Sequence, residues 1–455
     1  MYKTALILAA GDGKRMKSKL PKVMHKVCGK QLVKHVFDSV AGICDDKPIV
    51  VVGRSAELVE ELFASSARFA RQEVRKGTAH AVMCAQQLFE DKDGYIIITA
   101  GDMPLLTAQT FDKLFALATQ NEYSACVLTA KVENPFGYGR IIRNAEGCVV
   151  SIVEQRDASE EEQKINEVNT SVYCFNIKDL ICALSQVKSD NAQGELYLTD
   201  TLSILNNMSK KVGACVLDDA IEAMGINDRV QLSEAEAQMR RRINKRVMLE
   251  GVTLIDPENT YIGADVKIGA DTVIYPGSCF EGNTVIGEDC TIFSGCRIVD
   301  SCVGNKTEIT SSVLLEAKVG NNTKVGPNAY LRKGTDVGDN ARIGDFVEIK
   351  NARIGNGTKV SHLTYVGDAT VGEDCNMGCG TVFVNYDGKN KHHSTVGNHV
   401  FIGCNSNIIA PVKIGDNAFI AAATTVTKDV EENDLSIGRS RQENKKGWVL
   451  NYKNW

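Results

Sequence analysis

The sequence lacks an apolar run long enough to cross a lipid bilayer, which takes about 20 consecutive apolar residues. It also lacks an excess of basic residues: the formal net charge is −5 at pH 7, so there is no basic footprint for nucleic acid. The N-terminal apolar segment is too short for the core of a signal peptide, and a glycine loop follows it directly. We therefore expect a cytoplasmic protein that acts on small molecules, without a membrane span.

No CxxC pair occurs, and the number of cysteines, 15, is odd, which does not favour a disulfide framework. Cys290, Cys296 and Cys375 fall at one position of a six-residue repeat where Thr, Ala and Ser stand elsewhere. Free cysteine usually behaves as a small hydrophobic residue. We expect these three side chains to be buried and structural.

A chain of 455 residues is too long for one ordinary hydrophobic core, so two or more domains are expected. The C-terminal part carries the six-residue repeat, in which an aliphatic residue recurs and a small residue stands two positions before it. This period fits neither an α-helix nor an alternating strand, and it predicts a parallel β-helix. The aliphatic positions are Ile262, Ile268, Ile274, Phe280, Ile286, Ile292, Ile298, Val319, Val325, Leu331, Val337, Ile343, Ile349, Val396, Ile402, Ile408, Ile414, Ile420 and Val426.

Residues 1–228 alternate strand-like with helix-like runs, which predicts an α/β domain with a Rossmann-like, mostly parallel sheet. Ligands of such sheets bind beyond the carboxyl ends of the strands. The predicted strands are residues 4–9, 49–52, 95–100 and 125–130, and the predicted helices are residues 57–63, 79–89, 111–118 and 196–205.

Residues 229–249 contain neither glycine nor proline and mix apolar with charged residues. They predict a helical linker that begins at Asp228 or at a capping box over Ser233 and Glu236. The repeat domain then occupies residues 250–455.

The segment LILAAGDGKRM, residues 6–16, predicts a buried strand followed by a glycine loop and two basic residues. Such a loop can cradle phosphate oxygens with its backbone N–H groups, and Lys14, Arg15 and Lys22 would add positive charge. The spacing is neither that of a P-loop nor GxGxxG. A simple tight turn before a helix remains the alternative.

The motif LAAG-x-G-x-R-M, followed by Pro21, Lys22 and Val23, resembles the signature of sugar-1-phosphate nucleotidyltransferases. Together with the repeat, the later motifs are similar to those of the bacterial bifunctional N-acetylglucosamine-1-phosphate uridyltransferases and glucosamine-1-phosphate N-acetyltransferases. The resemblance covers nearly the whole chain. These motifs are Gln72, Gly77-Thr78, Gly101-Asp102, Gly137-Tyr138-Gly139-Arg140, Glu154, Asn169, QGELYLTD at 193–200 and GIND at 225–228.

For the first domain, the resemblance implies uridylyl transfer from UTP to N-acetylglucosamine-1-phosphate with release of pyrophosphate. The attacking phosphate oxygen is already anionic, so positioning and charge neutralisation suffice without a general base. By resemblance, Asp102 and Asn227 would hold Mg²⁺, although each alone could be a helix cap or a turn residue. The other implied nucleotide and sugar positions are Leu8, Ala9, Ala10, Gly11, Arg15, Lys22, Gln72, Gly77, Thr78, Ala100, Gly101, Gly139, Glu154 and Asn169.

In the repeat domain the period shortens near Ile354 and Val371 and lapses between Met377 and Val396. The lapse contains CGTVFVNYDGKNKHH, whose polar end predicts a projecting loop, although Asn-Tyr-Asp-Gly also fits a plain turn. His362, in the motif HLTY, could be a structural histidine. By resemblance it is the catalytic base that deprotonates an amino sugar for attack on a thioester, and imidazole titrates in the required range.

The resemblance further implies that the coil is left-handed and that three copies assemble into a homotrimer. Glucosamine-1-phosphate would bind at Arg332, Lys350, Tyr365 and Asn376, and acetyl-CoA at Cys379, Asn385, Tyr386, Cys404, Ala422 and Arg439. The product would be UDP-N-acetylglucosamine. Four positions depart from the residues expected in the family: Ala100, Lys333, Cys379 and Cys404.

Two other functions remain as alternatives. The chain could be a nucleotidyltransferase for another sugar phosphate whose β-helix is regulatory and non-catalytic, or a trimeric binding module without chemistry. His362 and the NYDG loop argue against the first alternative. Asp102, Asn227 and the glycine loop argue against the second.

Overall fold

A computed structural model describes residues 1–11, 13–53, 56–145, 147–191 and 193–451, and the chain forms two compact units, Met1–Met239 and Arg240–Trp455. The first unit is built on a nine-stranded sheet with the order β11-β7-β10-β6-β1-β4-β5, extended by β8 and β9. Its strands are β1 (Tyr2–Leu8), β2 (Lys26–Val27), β3 (Lys30–Gln31), β4 (Ile49–Val52), β5 (Arg68–Arg71), β6 (Gly94–Ala100), β7 (Ala125–Lys131), β8 (Arg140–Arg143), β9 (Val149–Val153), β10 (Glu167–Asn176) and β11 (Val212–Val216), of which β2 and β3 form a separate ribbon.

The sheet is mostly parallel, as predicted: β1 pairs in parallel with β4 and β6, whereas β10 runs antiparallel to β6 and β7. Side chains alternate between two apolar cores, so that Ile7 packs on one face and Leu6 on the other. The helices covering the two faces are α1 (Leu32–Ala41), α2 (Ala56–Phe63), α3 (Thr78–Ala85), α4 (Ala108–Gln120), α5 (Ile177–Leu184) and α6 (Asp200–Asn207).

One helix prediction was wrong in its first turn. Residues 196–199 were predicted to be helical, but α6 begins only at Asp200. The backbone of Leu196 is used elsewhere: its N–H donates to the Lys76 carbonyl (2.7 Å), and its carbonyl accepts from the Ala79 N–H (2.9 Å). These tertiary hydrogen bonds engage the backbone of Leu196 with the start of α3, and residues 198–199 form a turn before α6.

A long helix, α7 (Arg229–Leu249), spans the range of the predicted linker, and the division between the two compact units falls within it. Its N-terminus is capped by Asp228, whose carboxylate accepts from the N–H groups of Val230 and Gln231 at 2.9 Å. Of the two predicted starts, Asp228 is therefore the one used. Among the described residues, every helix is too short or too polar to traverse a bilayer.

The second unit is a parallel β-helix, as predicted. In-register pairs join successive coils, as Cys279 pairs with both Tyr261 and Arg297, three hexads apart. The strands form one sheet of 11 and another of 17. They are β12 (Thr253–Leu254), β13 (Tyr261–Ile262), β14 (Lys267–Ile268), β15 (Val273–Ile274), β16 (Cys279–Glu281), β17 (Val285–Ile286), β18 (Thr291–Ile292), β19 (Arg297–Val299), β20 (Cys302–Val303), β21 (Glu308–Ile309), β22 (Val313–Leu315), β23 (Lys318–Val319), β24 (Lys324–Val325), β25 (Tyr330–Leu331), β26 (Asp336–Val337), β27 (Arg342–Asp345), β28 (Glu348–Ile354), β29 (Lys359–His362), β30 (Tyr365–Val371), β31 (Asn376–Met377), β32 (Val382–Val384), β33 (Ser394–Val396), β34 (Phe401–Ile402), β35 (Asn407–Ile409), β36 (Lys413–Ile414), β37 (Phe419–Ile420), β38 (Thr425–Val426) and β39 (Leu435–Ser436).

Burial explains why an aliphatic residue and a small residue recur at fixed positions of each hexad. The predicted aliphatic residues are buried, except Ile268, which is half-buried. The small residues are buried too, and their hydroxyls are satisfied by neighbouring coils: Thr272 donates to the Gly287 carbonyl and accepts from the Cys290 N–H. Cys290, Cys296 and Cys375 are buried free thiols, as predicted, and burial raises the pKa of each.

The irregular steps of the repeat have a structural meaning. Each five-residue step lies within a single continuous strand, and the two strands concerned, β28 and β30, are each seven residues long. The lapse after Met377 is shorter than predicted, because β32 keeps the beat with a buried Phe383. Only the stretch after Val384 leaves the coil, where the Tyr386–Lys391 bridge closes a hairpin-like loop. Eight short 3₁₀ helices occur across the described residues: Lys14–Met16, Lys22–Met24, Ala64–Ser66, Gln86–Leu88, Glu162–Lys164, Ala220–Ala223, Pro257–Asn259 and Trp448–Asn451.

Candidate active sites

A cavity of about 450 Å³ opens at the carboxyl ends of the strands of the first unit. Because β1 and β6 are parallel neighbours, their ends meet there, and the Gly101 N–H donates to the Leu8 carbonyl at 2.9 Å. Ten of the predicted nucleotide and sugar residues line the cavity: Leu8, Ala10, Gly11, Lys22, Gln72, Gly77, Thr78, Ala100, Asp102 and Glu154. Asp12 of the glycine loop lies outside the described residues.

Gly77 shows why one position of this site requires glycine. Its φ is +112°, and a Cβ placed on it would lie 2.3 Å from the carbonyl oxygen of Leu196. A side chain there would displace the Leu196 backbone, which belongs to the segment that continues into the cavity wall. The close approach therefore links the end of β5 to the segment before α6.

Three polar side chains converge beside the glycine loop. The Lys22 ammonium forms an ion pair with the Asp102 carboxylate and lies 3.2 Å from the Asn227 amide oxygen. A carboxylate oxygen and an amide oxygen thus face one cation at one point. Hard oxygen ligands of this kind suit Mg²⁺, whose remaining ligands are usually water and phosphate.

The opposite part of the cavity carries a carboxylate in an apolar and acidic setting. Burial, and secondarily the charges of Asp157 and Asp200, raise the pKa of Glu154. Asn169, which donates to the Tyr173 hydroxyl at 2.8 Å, also donates its backbone N–H to the Gly139 carbonyl. A Cβ on Gly139 would lie 3.4 Å from the Glu154 carboxylate, so the three predicted sugar residues are neighbours.

Six predicted residues lie outside the lining of the cavity: Gly139 and Asn169, described above, and Ala9, Arg15, Gly101 and Asn227. Ala9 donates its N–H to the Val51 carbonyl within the sheet. The amide oxygen of Asn227 contacts the ammonium of Lys22, which lines the cavity. The Gly101 N–H donates to the carbonyl of Leu8, which also lines it. Arg15 is exposed on the 3₁₀ helix Lys14–Met16. These contacts therefore assign no substrate role to Arg15.

In the second unit, His362 forms a pair with Asp345. The Nδ1 atom of His362 lies 2.6 Å from the Asp345 carboxylate, because β27 and β29 stack these two residues in register. The hydrogen bond with His362 holds the pKa of the Asp345 carboxyl below its ordinary value. An ionised carboxylate only accepts, so Nδ1 carries the proton and Nε2 keeps a free lone pair.

The column that contains this pair continues along the coil. The registers of β29, β31, β34 and β37 place Cys379, Cys404 and Ala422 on successive coils after His362. The Asn405 N–H donates to the Cys379 carbonyl at 2.7 Å, and the Arg439 guanidinium bonds the Ala422 carbonyl. Four of the predicted acetyl-CoA residues therefore form one wall beside the histidine.

Positive charge gathers on the neighbouring face. The Arg332 guanidinium forms a 2.7 Å ion pair with the Glu348 carboxylate, and this pairing raises the pKa of Arg332. Lys391, and secondarily the charge of Arg332, lower the pKa of Lys350. Two lysines and an arginine in such proximity favour an anion with several oxygens, such as a phosphate.

Asp368 joins the coil to the projecting loop. This carboxylate is 8% exposed and accepts from the amides of Asn351 (2.6 Å) and Asn385 (2.5 Å). Burial alone would raise its pKa, but these hydrogen bonds lower it overall. The Asn385 amide also lies 3.5 Å from the Tyr365 hydroxyl, which brings the two predicted residues together.

Two family models match the chain. Residues 5–167 match the MobA-like NTP transferase domain, and residues 316–351 and 393–428 match the bacterial transferase hexapeptide (six repeats). Relatives named bifunctional protein GlmU include those of Clostridium beijerinckii (53% identical), Clostridium novyi (52%) and Clostridium acetobutylicum (50%). Each match spans 450 residues, 99% of this chain and 98% of the relative. The chain belongs to the GlmU family.

As a member of the GlmU family, the chain is a bifunctional transferase, with a nucleotidyltransferase unit followed by a hexapeptide acetyltransferase unit. This membership confirms the family, the fold class and the enzymatic character that the sequence predicted. It rules out a binding module without chemistry.

The structure adds residues to the GlmU-family sites that the sequence did not identify. In the cavity wall these include Tyr197 and Thr199, which belong to the QGELYLTD motif but were assigned to a helix. In the β-helix they are Asp345, Lys391 and Asp368. Asp345 carries a usable signal, since it stands one shortened coil before His362.

Proposed function

We propose that the chain makes UDP-N-acetylglucosamine in two steps. Its β-helix acetylates glucosamine-1-phosphate with acetyl-CoA, and its first unit then transfers uridylyl from UTP to the product. The observation that carries the proposal is the Asp345–His362 pair of the β-helix, in which Nδ1 of His362 lies 2.6 Å from the Asp345 carboxylate. Because UTP and acetyl-CoA are made inside the cell, the proposal also implies a cytoplasmic enzyme.

In acetyl transfer, His362 is the general base. Asp345 accepts a hydrogen bond from Nδ1–H of His362, which keeps the proton on Nδ1 and leaves Nε2 to take a proton from the ammonium group of the amino sugar. The freed amine attacks the thioester carbonyl and a C–N bond forms; the C–S bond then breaks, and the proton that the nitrogen loses as the amide forms passes to the CoA thiolate. Arg332, Lys350 and Lys391 bind the sugar phosphate, and Tyr365 and Asn376 orient the sugar.

The phosphate-binding step involves an exchange of partners. In the structure Arg332 is paired with Glu348, and the two cationic lysines lie together. A bound phosphate would relieve the repulsion between Lys350 and Lys391 and compete with Glu348 for the guanidinium. Acetyl-CoA would lie along the wall of Cys379, Cys404 and Ala422, with contacts from Asn385, Tyr386 and Arg439.

In uridylyl transfer, the cavity of the first unit binds UTP and the sugar phosphate. The loop of Leu8, Ala9, Ala10 and Gly11, with Gln72, Gly77 and Thr78, would hold the nucleotide, and Gly139, Glu154 and Asn169 the sugar. Arg15 and Lys22 would face the phosphates. The nucleophile is an anion, so the residues need only align it with the α-phosphorus and neutralise charge on the leaving pyrophosphate.

Mg²⁺ is the cofactor we propose for this step. Asp102 and Asn227 would hold it, since their oxygens already converge on the Lys22 ammonium. When bound, the ion would neutralise phosphate charge. Lys22 would then turn from Asp102 toward the phosphates.

A homotrimer is proposed as the assembly. His362 and Asp345 are 53% and 38% exposed, so the acetyl-transfer site of a single chain is an open wall. Residues of neighbouring copies could close it, as the family resemblance implies. Light scattering coupled to size-exclusion chromatography tests this: a mass near three chains supports the trimer, and a monomer with full acetyltransferase activity contradicts it.

One assay tests the whole proposal. The purified protein is incubated with glucosamine-1-phosphate, acetyl-CoA, UTP and Mg²⁺, and CoA thiol and pyrophosphate are followed separately. We expect thiol release without UTP, and pyrophosphate release only once acetylated sugar is present. Pyrophosphate release without any thiol release would instead favour a nucleotidyltransferase with a regulatory β-helix.

A further inference from the structure

Gln72 lines the cavity directly after β5 and is held by several hydrogen bonds. Its backbone N–H donates to the Val52 carbonyl at 2.8 Å, and its side chain is only 5% exposed. The Nε2 atom lies 3.1 Å from the Gly77 carbonyl and 3.1 Å from Nδ1 of His80 in α3. A carbonyl can only accept, so the contact with Gly77 identifies Nε2 as the NH₂ end of the amide.

His80 is the second partner of this NH₂ group. One amide hydrogen points to Gly77, and the other must meet a lone pair on Nδ1, which requires a neutral ring with its proton on Nε2. The titratable groups that face the ring are Lys76, before α3, and Cys84, whose Sγ lies 3.8 Å from Nδ1. Burial, and then the Lys76 charge, lower the pKa of His80, while burial raises that of Cys84.

We propose that His80 is a positioning residue that selects the nucleotide base by fixing which end of the Gln72 amide is free to meet it. The inference rests on the proposed uridylyl transfer. With both Nε2 hydrogens engaged, Oε1 remains as an acceptor, and among the described residues it has no hydrogen-bond partner. Uracil presents an N3–H donor to such an acceptor, whereas cytosine presents an N3 lone pair and is repelled.

Protonation of His80 would reverse this arrangement. An imidazolium carries hydrogen on Nδ1 and can only donate, so the Gln72 amide would have to turn to accept it. The turned amide would lose its bond to Gly77 and present NH₂ to the base. It would then favour the cytosine N3 lone pair over the uracil N3–H.

The test measures the ratio of kcat/KM for UTP to that for CTP, with N-acetylglucosamine-1-phosphate and pyrophosphate detection. His80→Leu removes the acceptor, and we expect the ratio to fall by about tenfold or more, the loss expected for one misdirected hydrogen bond. His80→Asn can keep an acceptor near the Nδ1 position and should preserve most of the ratio. The ratio is used because UTP and CTP share the same triphosphate ionisation.

A pH series separates positioning from a merely structural role. For the wild type, the ratio should fall only as the pH is lowered below about 6.5, the ordinary pKa of histidine, because burial and the Lys76 charge lower the pKa of His80. For His80→Asn it should stay level, because the variant has no ring to protonate. This comparison remains decisive if His80→Leu does not fold.

Two results would overturn the inference while leaving the proposed function standing: an unchanged ratio in folded His80→Leu, or identical pH profiles for the wild type and His80→Asn. A wild-type protein that releases no pyrophosphate from UTP and N-acetylglucosamine-1-phosphate at any pH would overturn the proposed function, and the inference with it. The two failures are therefore distinguishable.

Discussion

The two candidate sites are built in opposite ways. The first unit has a half-open cavity of about 450 Å³ at the ends of several strands, and its wall combines residues from the glycine loop to the segment before α6. The site on the β-helix is an open wall, where His362 is 53% exposed. Uridylyl transfer needs alignment and charge neutralisation from many directions, whereas acetyl transfer needs one oriented base. In each unit, the shape of the site therefore suits the reaction step that takes place there.

The largest effect should come from His362→Ala. Loss of a general base typically reduces the rate by about 10² to 10⁴-fold, so CoA thiol release should nearly cease. Pyrophosphate release from supplied N-acetylglucosamine-1-phosphate should continue, since the first unit has its own site. His399→Ala, an exposed histidine of the same coil, is the matched control. Loss of both activities in a folded variant would contradict the separation of the two sites.

Asp102→Ala should have the reverse effect. Removing the carboxylate that pairs with Lys22 should lower pyrophosphate release by about 10² to 10³-fold, the range seen when one charge-stabilising group is lost. Thiol release should be unchanged. Asp112→Ala, on the exposed side of α4, serves as the control. Full pyrophosphate release in Asp102→Ala at every Mg²⁺ concentration would exclude the proposed metal ligand.

Asp345→Asn tests how much the open site depends on its one oriented base. The amide cannot hold Nδ1–H as an ionised carboxylate does, so the kcat of acetyl transfer should fall by about 10 to 100-fold. This is less than in buried triads, because water can replace part of the interaction at this exposure. Combined with His362→Ala, the substitution should have almost no further effect. Additive losses would show that Asp345 acts separately.

Lys391→Ala tests the cationic group, with Lys389→Ala on the same loop as its matched control. Loss of one phosphate-binding charge should raise the KM for glucosamine-1-phosphate by about tenfold, with a smaller change in kcat. Since Lys391 lowers the pKa of Lys350, the substitution should also raise the pKa of Lys350. Equal KM values for the two variants would remove Lys391 from the phosphate site.

The smallest expected effect is on the thermal stability of the first unit. Burial raises the folded-state pKa of Glu154, so its stabilising contribution is present at acid pH and is lost as the pH rises through that pKa. At pH 7 Glu154→Gln removes a buried charge and should raise the Tm of the first unit by about 2 °C. Near pH 4 the difference should vanish. A Tm gain that persists at pH 4 would assign the effect to packing.

Several parts of the sites could be predicted from sequence, because local pattern or motif carries them. The hexad predicted the β-helix and its buried positions, strand ends predicted where the glycine loop and Asp102 would lie, and the family resemblance identified Gln72. Asp345 and Lys391 were not found, since their proximity to His362 and Lys350 arises from coil stacking and from a loop that folds back. The helix predicted over 196–205 shows the same limit: α6 begins only at Asp200, because the backbone of Leu196 is hydrogen-bonded to residues at the start of α3.

The sequence by itself determined the periods and motifs: a six-residue beat, a glycine loop after a strand, and the family to which the chain belongs. These depend on residues close together along the chain, where backbone geometry and side-chain size act directly. Only the tertiary structure decided which polar groups meet. The Asp345–His362 pair depends on the register of two coils, and the Gln72–His80 contact on the packing of α3 beside β5. The spacing of one shortened coil makes Asp345 a candidate partner of His362, but which candidate side chains meet depends on long-range packing.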